Sequence, residues 1–157
     1  MLSSAAALLL LSSATPSSTP EGVFEAFAEV CLSNLGDAPK QISAAKDKYG
    51  AGPASENASE GVALRSESFA FNVIGSDAGC AVTSSVDSTV TFESMTTLIG
   101  EALGGAAPND LIAPDTAYWL IAPETVEGNF SISLLVSSET GQNLATLMIS
   151  RVKGPIE

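Results

Sequence analysis

Phe130-Ser131-Ile132-Ser133-Leu134-Leu135-Val136-Ser137 sets apolar residues against serines at nearly every second position. Side chains of a strand point alternately to opposite faces, so this period predicts a strand with one buried face and one wetted face. Turn residues separate it from two neighbours, Ala117 to Ala122 and Leu144 to Val152. The C-terminal third therefore reads as a three-stranded meander.

Working outward, the stretch from about Thr91 to Leu103 carries Met95, Leu98, Ile99, Ala102 and Leu103 at helical spacing and stops at Gly104-Gly105. It predicts a helix, followed by a connector through Pro108 and Pro114. Before it, strand character begins near Val62, and Phe69, Phe71 and Val73 alternate with polar or small neighbours. Gly75 to Gly79 reads as a turn, and the return strand Cys80 to Ser85 places Cys80, Val82 and Ser84 on one face.

Two helices are expected upstream. Thr19-Pro20-Glu21 supplies a hydroxyl cap, a proline for the first helical position and an acid for the first turn. Val23, Phe24, Phe27, Val30, Cys31 and Leu35 then recur at helical spacing until Gly36. Asp37-Ala38-Pro39 starts a shorter helix through Ile42, Ala45 and Tyr49, stopped by Gly50, and residues 51–60 read as a loop. The order is α-α-β-β-α-β-β-β. It defines an α+β domain in which helices cover one face of one roughly five-stranded antiparallel sheet.

The N-terminus runs Ala5-Ala6-Ala7-Leu8-Leu9-Leu10-Leu11 into Ser12-Ser13-Ala14, an apolar run ending in small residues. This predicts a cleavable export signal over residues 1–14, a flexible segment over 15–20 and a single domain over 21–157. No Lys or Arg precedes the apolar run, which departs from the usual signal pattern and points to a start codon further upstream. The run is too short for the roughly 20 residues of a membrane span, so no membrane anchor is expected.

The chain has two cysteines, Cys31 and Cys80. In an oxidising compartment they are expected to pair, the alternative being two buried thiols. A bond between them would close a loop of about 50 residues, worth roughly 4 kcal/mol on the chain-entropy model.

Composition excludes several functions. With 18 acids against 6 bases the net charge is −12, which argues against nucleic acid as a partner. Histidine is absent, and with it the usual general base, the Ser and Cys triads and most zinc sites. No catalytic residue, metal or cofactor is therefore assigned. Ser43-Ala44-Ala45-Lys46 has the Ser-x-x-Lys spelling of penicillin-recognising enzymes, but Ser-Asp-Asn and Lys-Thr-Gly are missing and the chain is too short, so it reads as a chance match on a solvated helix. The glycines Gly100, Gly104 and Gly105 read as a helix end, because no Lys-Ser/Thr pair follows them. Asp77, Asp110, Asp115, Glu124 and Glu127 fall in expected loops without an EF-hand spelling.

Four aromatic residues stand out as a possible binding face: Tyr118 and Trp119 in one strand, Phe69 and Phe71 in another. Burial in the core is the competing reading, and exposure distinguishes the two. Asn57-Ala58-Ser59 and Asn129-Phe130-Ser131 are formal glycosylation sequons that matter only in a eukaryotic source.

The element order resembles profilin-like and PAS-like folds, a likeness that implies architecture and no activity. Phe27-Ala28-Glu29-Val30-Cys31 at the end of the first helix, with Gly79-Cys80-Ala81-Val82 opening a strand, resembles an uncharacterised family of small exported proteins from alphaproteobacteria. That resemblance implies an extracytoplasmic address and agrees with the disulfide. The expected role is a non-enzymatic binding or interaction module of the periplasm or cell envelope, secreted or retained there, meeting a small ligand or an envelope protein. The alternatives are a small hydrolase relying on two carboxylates, and a structural homodimer joined through an exposed edge between Leu144 and Val152.

Overall fold

The computed structural model describes residues 18–54, 61–74, 78–108, 110–113, 116–139 and 141–152, without the side chains of 110–113 and 139. The expected leader, residues 75–77 of the first turn and the Asn57 sequon lie outside them.

The class is α+β. The first helix, α1 (Pro20–Phe27), opens as its sequence dictates: Thr19 is extended and its Oγ1 accepts a hydrogen bond from the Gly22 N–H at 3.0 Å. Pro20 stands in the first turn, where its missing N–H costs nothing. The chain before it is tied to the sheet, with the Ser18 N–H donating to the Ser85 carbonyl at 2.7 Å.

The expected continuous helix to Leu35 is interrupted, because α1 passes into a π-helical turn over Ala28–Leu32 closed by the Ser33 N–H on the Ala28 carbonyl at 2.8 Å. A wide turn at a helix end leaves carbonyls without intrahelical donors. Side chains supply them. Asn34 Nδ2 donates to the carbonyls of Glu29 (3.1 Å) and Val30 (3.3 Å), and the buried Gln41 donates through Nε2 to that of Cys31 (3.3 Å). Gln41 sits on α2 (Ala38–Tyr49), capped by Asp37 on the Lys40 N–H and ended by Gly50 in the left-handed region at φ 65°.

The sheet has eight strands rather than five. In sequence they are β1 (Gly52–Pro53), β2 (Val62–Arg65), β3 (Ala70–Ile74), β4 (Gly79–Asp87), β5 (Asp110–Ala113), β6 (Thr116–Ile121), β7 (Phe130–Glu139) and β8 (Gln142–Arg151). Their spatial order is β1-β2-β3-β4-β8-β7-β6-β5, antiparallel at every pair. The extra strands escape pattern reading for physical reasons. β1 is a Gly-Pro pair, β2 has four residues, and β5 lies among prolines in a stretch that reads as a connector. A third helix, α3 (Phe92–Ala102), follows β4 and is capped reciprocally by Thr91 and Ser94.

The expected hairpin and meander meet side by side, with β4 pairing β8 from Cys80↔Ile149 to Asp87↔Gln142. Strand β8 is therefore interior, bonded to β4 on one side and β7 on the other. It has no free edge, so a homodimer joined through an edge at Leu144–Val152 is ruled out by the pairing itself.

One face is helix-covered. Leu64, Phe71, Val82, Leu147, Leu134 and Ala117 stand opposite one another across six strands, all buried beneath α1, α2 and α3. Cys31 joins Cys80 across this layer, with Cα atoms 5.6 Å apart, tying the π-helical turn to β4.

Candidate functional site

The register that buries one face presents the other to solvent, since alternate residues reverse direction. Across β2, β3, β4, β8, β7 and β6 one row reads Ala63, Asn72, Ala81, Met148, Ser133, Tyr118, with Asp110 paired beyond Tyr118 on β5. The next reads Arg65, Ala70, Thr83, Thr146, Leu135, Thr116. Leu120, Ser131 and Ser150 flank the first row, and Ser85, Leu144 and Ser137 flank the second.

Arg65 is the one charged side chain described in these four rows, on a chain with 18 acids and 6 bases. Met148 is 36% exposed and Leu135 41%, and they stand diagonally across β7 and β8. At the centre, the Thr83 and Thr146 hydroxyls bond each other at 3.0 Å, which satisfies both within the sheet. At the β1 end the face hollows into a depression of about 230 Å3, walled by Ala54, Ala63, Ala70 and Ala81 with Arg65, Asn72 and Thr83. A smaller hollow of about 60 Å3 lies beside it, and Arg65, Ala70 and Thr83 line both. Arg65 forms no ion pair among the described residues.

The four aromatic candidates do not form one surface. Trp119 is buried on the helix-covered side, where its indole N–H donates to the Ala106 carbonyl at 3.3 Å. Tyr118, its neighbour on β6, points to the open face and is half-buried. Phe69 and Phe71 are brought together at a ring-centroid distance of 6.0 Å, but Phe71 is 1% exposed. Tyr49 completes their cluster, edge-on to Phe69 at 5.3 Å and tilted to Phe71 at 5.6 Å.

The sequence placed Tyr49 and Glu29 on helices but marked neither as a site residue. The phenol donates to Glu29 Oε2 at 2.7 Å, and burial, then the hydrogen bond to this carboxylate, pushes its pKa well above the ordinary value. A raised folded pKa stabilises the fold fully below the unfolded value of about 10, and that contribution is lost as pH rises from there toward the folded value. Thermal stability is therefore expected to fall as pH rises above about 10, and to fall less steeply in Tyr49→Phe. Melting curves of both proteins across that range check this; identical pH slopes would refute it.

Asp87 is held below the usual carboxylate range by the Thr89 backbone N–H at 2.9 Å and the Thr89 hydroxyl at 2.8 Å, a turn contact at the exposed end of β4. Ser43 and Lys46 are both exposed on α2. Among the described residues no three His, Cys, Asp or Glu side chains converge in a way that could hold a metal ion, and no helix is long and apolar enough to cross a membrane.

No protein family, curated protein or solved structure matches this chain.

Proposed function

We propose that the chain is an exported, non-enzymatic interaction module of the cell envelope, and that its contact surface is the helix-free face of the sheet. The observation that carries this reading is the near absence of charge across the middle of that face in a chain of net charge −12. The chain as a whole is 15% charged, whereas the middle rows of that face hold Arg65 and, at the β5 end, Asp110; the centres of protein interfaces are likewise depleted of charge and enriched in aromatic residues and Met. The disulfide and the apolar run over residues 5–11 support the extracytoplasmic address. The depression beside Arg65 favours a second reading, a small ligand held on the same face.

Methionine oxidation tests the proposal. Met148 is partly exposed on the proposed contact face, whereas Met95 is fully buried and serves as an internal reference. In dilute purified protein, peroxide is expected to convert Met148 to the sulfoxide well ahead of Met95. In the envelope fraction of the exporting cell, Met148 is expected to oxidise several-fold more slowly, as a covered side chain does. Equal Met148 rates in the two preparations would defeat the reading.

A further inference from the structure

We infer that the partner covering the helix-free face is a second copy of this chain, so that two sheets stack face to face about a twofold axis. The inference rests on the interaction reading above and supplies its partner.

The edges of the sheet are poor alternatives. β1 has two residues and ends in Pro53, and β5 has four with a register shift between Leu111 and Ala113. Short, proline-bearing or bulged edges resist strand addition. What remains is the face, and its size suffices. Two rows across six strands and two across three, with strands about 4.8 Å and rows about 6.7 Å apart, make a patch of roughly 600 Å2. Two such patches bury about 1,200 Å2, the point at which specific dimers begin, and the relief of the side chains adds to this.

Charge selects the same surface. Copies of a chain at −12 repel one another wherever acids face acids. Asp110 stands at the β5 end of the Met148 row, and Asp87 and Glu139 lie in the row beyond Ser85, Leu144 and Ser137, so two copies that meet over Met148 and Leu135 keep these acids at the periphery of the contact. An isologous contact sets the same patch against itself, and two sheets of equal twist stack about 10 Å apart at roughly −30°. Leu135 and Met148, on the neighbouring interior strands β7 and β8, supply apolar side chains for the space between them.

Sedimentation velocity over a concentration series tests this on the processed, oxidised protein. A monomer–dimer equilibrium with a dissociation constant on the order of micromolar is expected, given so modest an area. Raising salt from about 0.05 to 0.5 M is expected to strengthen it several-fold, because screening relieves repulsion between two acidic bodies. Met148→Glu is expected to weaken dimerisation by at least about 30-fold, since it sets unpaired carboxylates in the interface. Ser43→Glu adds the same charge on the exposed side of α2 and is expected to weaken it by less than about twofold.

A wild-type chain that stays monomeric at about 0.5 mM overturns the inference. So does a dimer that both substitutions weaken equally, because the contact would then lie elsewhere. Failure here with Met148 still protected in the envelope would leave the interaction reading standing with another partner. A dimer in solution whose Met148 is unprotected in the envelope would instead defeat that reading and spare self-association.

Discussion

Replacing both cysteines, as Cys31→Ala with Cys80→Ala, is expected to lower the free energy of unfolding by about 4 kcal/mol. The bond closes a loop between residues 49 apart, and its loss frees the unfolded chain to explore conformations that the crosslink forbids. Both sulfurs are fully buried, so removing them also leaves a small void between the π-helical turn and β4. Domains of this kind are stable by about 5–15 kcal/mol, so the loss is a large fraction of the total. Urea unfolding of the oxidised protein and the double variant measures it. A difference below about 1 kcal/mol would show that the helix layer holds to the sheet without the staple.

Trp119→Ala is expected to cost about 3–5 kcal/mol. Trp119 heads the fully buried side chains by volume, and it packs where the sheet meets the chain that follows α3. That chain reaches the indole through a close approach at Gly100. The N–H groups of Gly105 and Ala106 donate to the Gly100 carbonyl at 2.8 and 3.0 Å, and a Cβ at Gly100 would come within 2.5 Å of the Ala106 oxygen. Truncation of Trp119 removes the packing and leaves the Ala106 carbonyl without its indole donor. Tyr118→Ala, one residue away on the open face, is expected to cost less than half as much, and thermal or urea unfolding of the pair gives the comparison. Equal losses would mean that the open face is already covered in the isolated protein.

The individual elements were legible wherever physics acts locally. Thr19 and Asp37 cap helices because a side-chain oxygen is within reach of backbone donors two or three residues on, and this geometry is written in three or four consecutive letters. The Phe130–Val136 alternation is legible because pleating alone dictates which residues share a face. The π-helical turn was not legible. It is stabilised by Asn34, four and five residues on from the carbonyls it meets, and by Gln41 from the next helix, and Gln41 stands where it does only once α2 has folded back on α1.

The candidate site was legible in part. Alternation implies that Ser131, Ser133 and Ser137 face away from the core, but not that Met148 and Leu135 become diagonal neighbours, nor that Arg65 borders a hollow lined by alanines. Those juxtapositions are set by register between strands distant in sequence. Tyr118 and Trp119 show the division within two residues, since their sequence predicts opposite directions but not which direction is solvent.

By itself the sequence determined the acidic, histidine-free chemistry of the chain, the capped helices, the half-buried strands and the cysteines available to pair, all of which are set by composition or short-range geometry. Only the tertiary structure decided that β8 is interior, that eight strands form one sheet and that the middle rows of the helix-free face carry little charge. These depend on which distant segments become neighbours, and that choice is settled by burying the whole core at once.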